Sequence, residues 1–175
     1  DKFFVNLSVF QSMPDVWALD QIFPIVPLEG LDQAPTRRAV LEDLTCDSDG
    51  RIDQYVDSEA LASTLPVHAP PAGKPYHLGV FMVGAYQETL GDIHNLFGDT
   101  DVISVRTGAA GFAFEGAMQG DTTEELLRYV GYDTDHLRMA YRARLTNAAL
   151  EPAEAKRIAE ALESGLSGYT YLHDG

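Results

Sequence analysis

The chain has 175 residues, 45% of them apolar, and a formal charge of −15. That is enough apolar material for one ordinary domain, or for one domain with an appendage. The acidic balance excludes nucleic-acid binding by phosphate neutralisation and attraction to an anionic membrane surface, and no apolar run approaches the roughly 20 residues that cross a bilayer.

In chain order, Phe3 to Phe10 (FFVNLSVF) has β-branched and aromatic character and predicts a strand. Ser12 to Asp15 reads as a turn. Val16 to Leu28 contains Pro24 and Pro27, which cannot donate to a ladder, so it is expected to be an edge or irregular strand. Glu29 to Thr36 is a loop. Arg37 to Leu44 is a strand leading into the polar elbow Thr45-Cys46-Asp47-Ser48-Asp49-Gly50. Arg51 to Leu65 is polar, with a short strand expected around Leu61–Leu65. Pro66 to Pro75 holds four of the nine prolines and reads as an extended connection.

The organising stretch is Tyr76 to Asp99, YHLGVFMVGAYQETLGDIHNLFGD. Its uncharged start, Leu78 to Val83, predicts a buried strand that breaks at Gly84-Ala85 and delivers Tyr86 just beyond, a common way to build a pocket wall. Gln87 to Phe97 predicts a short helix or turn. The two elbows, 45–50 and 84–86, are expected to serve one site, most of which lies outside this chain.

Val102–Val105 and Phe112–Glu115 flank Gly108-Ala109-Ala110-Gly111 and predict a hairpin. After Gly120 the period becomes helical. Asp121 or Thr122 caps a first helix with Glu124 and Glu125 in its opening turn and Leu126, Leu127 and Val130 on one face. Asp133 starts a second helix through about Leu145, with Leu137, Ala140, Tyr141 and Arg144 on a seam. Pro152 opens a third through Ser164, with Ile158, Ala161 and Leu162 apolar and Gly165 at its C-terminal stop. Gly168 to Leu172 is aromatic enough to dock back. The expected architecture is α+β: a β-barrel or sandwich-like domain over 1–120, followed by a small helical extension over 121–175.

No P-loop, dinucleotide fingerprint or Cys/His metal cluster is present, and no metal ligand is assigned. The five histidines are scattered and read singly as surface or packing residues. The excess acid reads as solubility before it reads as cation binding. The lone Cys46 can form no intrachain disulfide, which is compatible with a reducing compartment. No secretory signal is visible. The first residue is not Met, so a fragment or processed product is expected.

The segments FFVNLSVFQSMPDVWALDQIFPI, GLDQAPTRRAVLEDLTCDSDG, GVFMVGAYQETLGDIHNLFGD and GLSGYTYL closely resemble the C-terminal part of the bacterial biosynthetic arginine decarboxylase family. These are pyridoxal-phosphate enzymes of the alanine racemase and ornithine decarboxylase fold. TCDSDG, GAYQ and HNLFGD at these spacings carry the resemblance, which covers nearly the whole chain. It implies conversion of L-arginine to agmatine and carbon dioxide in polyamine and spermidine biosynthesis. It implies pyridoxal 5'-phosphate on a lysine of a barrel domain outside this chain, since Lys2, Lys74 and Lys156 match no Schiff-base motif. It implies a magnesium requirement, for which no ligand set is legible. It implies dimers, or tetramers of them, with the active site across the dimer interface, and a cytoplasmic location with the periplasm as the alternative.

By the same resemblance, Tyr86 is cofactor-binding, its hydroxyl donating to the cofactor phosphate. Asp47 is substrate-binding and reaches into the partner subunit's site, where a carboxylate suits a guanidinium through paired hydrogen bonds. Cys46 is catalytic, lying near the cofactor and governing where the reacting carbon is protonated. Taken alone, Tyr86 reads as a core or interface tyrosine and CDSDG as an Asx-type turn. Asp49 and Asp32 are further acidic candidates for guanidinium recognition with no family role. The fragment by itself is expected to be inactive. Two other readings are a non-catalytic oligomerisation or binding module, and a related decarboxylase acting on lysine, ornithine or diaminopimelate.

Overall fold

The computed structural model describes residues 1–58 and 60–173. By packing the chain divides into two compact units, residues 1–97 and the remainder from residue 98.

The first unit contains strands β1 (Lys2–Phe4), β2 (Ile25–Pro27), β3 (Arg37–Glu42), β4 (Arg51–Ile52), β5 (Tyr55–Val56), β6 (Leu61–Ala62), β7 (Leu65–Val67) and β8 (Leu78–Val80). It also contains helices α1 (Val9–Ser12), α2 (Pro14–Leu19) and α3 (Ala85–Leu90), and a single 3-10 turn at His94–Leu96. The six-residue β3 is the hub. It pairs in parallel with β1 (Lys2 opposite Val40) and antiparallel with β4 (Leu41 opposite Ile52) and β7 (Arg37 opposite Val67). Strand alternation turns Ala39 and Leu41 inward. They join Val9, Met13, Phe23, Ile25, Ile52, Tyr55, Leu65 and Val67 in one core. Tyr55 is 1% exposed, and its hydroxyl accepts the Leu41 amide at 2.8 Å and donates to the Ile52 carbonyl. Burial pushes that phenol up to about 12.

The architecture is α+β as expected, but among the described residues no sheet closes into a barrel. One four-stranded and three two-stranded sheets form instead, because most strands run only two or three residues. Three local expectations fail in this unit. FFVNLSVF stops being a strand at Phe4, since Ser8 caps α1 by accepting the Gln11 amide and a local cap outweighs β propensity. Asp15 to Leu19 is helical, with Pro14 at the first position. The run 78–83 is not a buried strand. Among the described residues β8 pairs only with β2 and is half-buried, Met82 turns the chain at φ +62°, and Phe81 to Val83 are exposed.

The second unit holds a hairpin, β9 (Val102–Gly108) and β10 (Gly111–Met118), and three helices, α4 (Thr123–Tyr129), α5 (Thr134–Asn147) and α6 (Pro152–Ser167). Thr122 and Glu125 form a capping box on α4, and Asp133 caps α5 by accepting the His136 amide. The inward faces are Leu126 on α4, Leu137, Ala140 and Tyr141 on α5, and Ala155, Ile158, Leu162 and Leu166 on α6. Arg144 and Ala161 face out. Gly165 does not end α6, because the buried Leu166 carries the helix on to a cap at Gly168.

The C-terminal tyrosines dock as expected. Tyr171 donates to the Gly98 carbonyl at 2.8 Å, Tyr169 accepts the Asp101 amide at 3.2 Å, and Thr122 bridges to Tyr169. Between the helices, Arg138 grips Glu124 with two bonds of 2.7 Å and pairs with Glu163 at 2.9 Å, while Thr134 donates to Glu124. The Arg138 guanidinium, seconded by the Thr134 hydroxyl, holds the Glu124 carboxyl down to about 2.

Candidate functional site

The elbow after β3 is built on a buried carboxylate. Asp43 is 3% exposed, and its Oδ1 accepts both the Thr45 amide (2.8 Å) and the Thr45 hydroxyl (2.7 Å). Its Oδ2 accepts the Val9 amide at 2.9 Å, tying the elbow to the first turn of α1. Gly50 closes the loop, since its amide donates to the Asp47 carbonyl and its carbonyl accepts the Asp43 amide. A Cβ on Gly50 would lie 2.2 Å from Asp43 Oδ1, so only glycine lets the loop close over that carboxylate. The knot raises Cys46 and Asp47 into the open: both are exposed. Asp47 Oδ1 accepts the Asp49 amide at 3.1 Å, so the turn expected from CDSDG does form.

The second elbow is docked on α1 and α2. Gln87, 5% exposed, accepts the Asp15 amide at 3.1 Å and donates to the Asp15 carboxylate at 2.6 Å. That fixes α3 and places Tyr86, its neighbour in the first turn, on the surface with 78% of its area exposed. The Tyr86 hydroxyl has no hydrogen-bond partner among the described residues, and no bond links it to Cys46 or Asp47. Further on, Gly91 passes so close to α1 that a Cβ would sit 2.3 Å from the Gln11 carbonyl oxygen, and Asp92 donates to the Phe10 carbonyl at 3.0 Å.

The 3-10 turn that follows reaches the first elbow. His94 Nε2 lies 3.4 Å from Asp47 Oδ2, and Asn95 Nδ2 lies 3.5 Å from Cys46 Sγ. The structure therefore brings Cys46 and Asp47 together with the HNLFGD segment. Of the other acidic candidates, Asp49 supports the Asp47 carboxylate through its amide, and Asp32 is exposed in the loop between β2 and β3. His94, Asn95, Asp43 and Gln87 were not legible as parts of the site. Their long-range partners lie 34 to 72 residues away in sequence, and spacing carries no signal at that range.

As for added groups, the Tyr86 hydroxyl, without a partner among the described residues, can donate one hydrogen bond to a phosphate oxygen. Lys2 and Lys156 are engaged with Glu42 and Glu160. The residues here thus fit one contact to a cofactor phosphate. They do not fit magnesium: among the described residues no three His, Cys, Asp or Glu are grouped to hold a metal ion. No helix among them is long and apolar enough to cross a membrane.

Residues 123–172 match the family described as the arginine decarboxylase C-terminal helical extension. Biosynthetic arginine decarboxylases from Xanthomonas campestris and Alkalilimnicola ehrlichii are 55% and 57% identical to the chain over 174 and 173 residues. The crystal structure of the biosynthetic arginine decarboxylase SpeA from Campylobacter jejuni superposes with a TM-score of 0.86 over 98% of the chain, at 37% identity. These define the class: the chain resembles a lyase, and specifically an arginine decarboxylase. Along nearly its whole length it resembles part of the bacterial biosynthetic enzyme, and its helices resemble that enzyme's C-terminal extension. It spans 28% of the length of both curated relatives and 29% of the crystallised one.

Proposed function

We propose that this chain supplies the C-terminal part of an enzyme that converts L-arginine to agmatine and carbon dioxide, as a step toward polyamines such as spermidine. The observation that carries this reading is the Cys46–Asp47 pair, exposed at the tip of a loop whose base is locked by the buried Asp43. An exposed carboxylate on a fixed loop suits capture of a guanidinium presented from another polypeptide surface. Asp47 binds that group and orients the substrate. Cys46, beside it, holds or moves a proton at the carbon that loses carbon dioxide. Tyr86 donates its hydroxyl to the cofactor phosphate without adding charge. Pyridoxal phosphate, attached to a lysine outside this chain, supplies the electron sink for decarboxylation.

The division of labour follows the β-rich part to residue 120 and the helical extension from 121, a boundary supported by the family match that starts at residue 123. The loop acts across a subunit boundary, so the dimer is the smallest active unit, within tetramers in a cytoplasmic enzyme. Arginine is favoured over lysine, ornithine or diaminopimelate by the names of the matched relatives. A second reading, an association module without chemistry, draws on the outward apolar face of the hairpin, where Val105, Phe112 and Phe114 are each more than half exposed.

The test is Asp47→Ala in the full-length enzyme. Arginine-dependent release of carbon dioxide is expected to fall by about a hundredfold or more with the melting temperature unchanged. Undiminished release would remove Asp47 from the site. The isolated chain is expected to show no cofactor absorption band and no release.

A further inference from the structure

The 3-10 turn at His94–Leu96 combines two features that rarely coincide. Asn95 and Leu96 both adopt the left-handed backbone, with φ of +55° and +61°. Asparagine tolerates that region and leucine does not, so the surrounding structure must impose it. The imposing contacts are visible. His94 donates its amide to the Asp92 carbonyl at 2.8 Å, Phe97 donates to the His94 carbonyl at 3.3 Å, and Asp92 donates to the Phe10 carbonyl. The His94 ring stacks on Phe10 with centroids 4.2 Å apart, and Phe10, 5% exposed, leans on Trp17. The ring is therefore held from the α1 side, independently of Asp47.

From that fixed position the turn meets the two candidate site residues one for one. His94 faces Asp47 and Asn95 faces Cys46. With Asp49 on Oδ1 and His94 toward Oδ2, both oxygens of the Asp47 carboxylate are oriented before any ligand arrives. A pair in which His94 is 33% and Asp47 40% exposed contributes little to stability. Strain kept beside a contact of small stabilising value points to orientation as its use.

We propose that His94 and Asn95 are positioning residues: His94 sets the Asp47 carboxylate, and Asn95 sets the Cys46 sulfur. Preference for a guanidinium substrate then depends on a side chain that never touches it. This rests on the reading of Asp47 and Cys46 given above.

The test uses the full-length enzyme. His94→Ala is expected to raise KM for arginine by about tenfold, change kcat by less than about threefold, and leave the melting temperature unaltered. His94→Gln, which keeps a donor near the same place, is expected to restore most of the loss. On an Asp47→Asn background, His94→Ala is expected to add almost nothing, because the effect runs through the carboxylate. Asn95→Gly, which keeps the left-handed backbone but removes the amide, is expected to lower kcat rather than raise KM. An active Asp47→Ala enzyme overturns the underlying reading. A crippled Asp47→Ala enzyme beside a silent or fully additive His94→Ala overturns this inference alone, as does a His94→Ala enzyme that only melts earlier, which would make the ring a packing residue on Phe10.

Discussion

The two units hold themselves together by different means. In residues 1–97 the decisive polar groups are inside: Asp43, Gln87 and the Tyr55 hydroxyl are nearly sealed from water and satisfied mainly by backbone amides and carbonyls. From residue 98 on, the polar framework is a charged network, half-buried at Arg138 and Glu124 and open at Arg128 and Glu163. Glu124, Arg128, Arg138 and Glu163 form a network along the helix surfaces, and the buried part is small, with Leu126, Leu166 and Tyr171 as its apolar centre. Buried hydrogen bonds fix geometry sharply and are costly to break. Exposed ion pairs are cheap to break and yield to salt and acid. The unit that presents Cys46, Asp47 and Tyr86 is built in the way that holds atoms still.

This contrast can be broken at several points. The largest effect is expected from Asp43→Ala, which strands the Val9 and Thr45 amides in the interior. A loss of about 3 kcal/mol in denaturant unfolding of the first unit would agree with it. A loss under about 0.5 kcal/mol would show that the knot is not what stiffens the loop.

A slightly smaller effect should come from alkali. The folded pKa of Tyr55 lies above its unfolded value of about 10. Its contribution is therefore whole below pH 10 and vanishes as pH climbs through the folded value of about 12. That amounts to roughly 3 kcal/mol at most, and Tyr55→Phe should flatten the alkaline decline. An unchanged decline in that variant would mean another group causes it.

The smallest effect belongs to the second unit and runs in the opposite direction. Glu124 is lowered from 4.5 to about 2, so its support is intact above pH 4.5 and drains away as pH falls toward 2. Helical circular dichroism of that unit should weaken over this interval, and less so in high salt, where the pairs are already screened. Glu124→Gln should be less stable at neutral pH and less sensitive to acid. Equal acid sensitivity with and without Glu124 would deny the network its role.

Much of this was legible in the sequence. The helices beyond Gly120 announce themselves through Thr122, Asp133 and Pro152, because caps and prolines act within a few residues of where they stand. The hairpin follows from its glycines, and β3 from its alternating apolar residues. What failed did so for a shared reason. The uncharged run 78–83 looks like a core strand, but burial depends on what packs against it: Leu78 and Val80 touch the core from its edge, while Phe81 to Val83 find no cover. Gly165 looks like a stop, but Leu166 finds a buried seat one residue later. In the candidate site, Cys46, Asp47 and Tyr86 are singled out by family resemblance. The bond from Val9 to Asp43 and the approach of His94 to Asp47 span long sequence separations and emerge only once the chain is folded.

The chain's one sulfhydryl stands in the open on a loop braced from beneath by the closure at Gly50. A chemist therefore has a single addressable handle. A spin probe or fluorophore on Cys46 would ride directly on the loop tip, and its tumbling would gauge how firmly the brace grips. Gly50→Ala should set that probe loose.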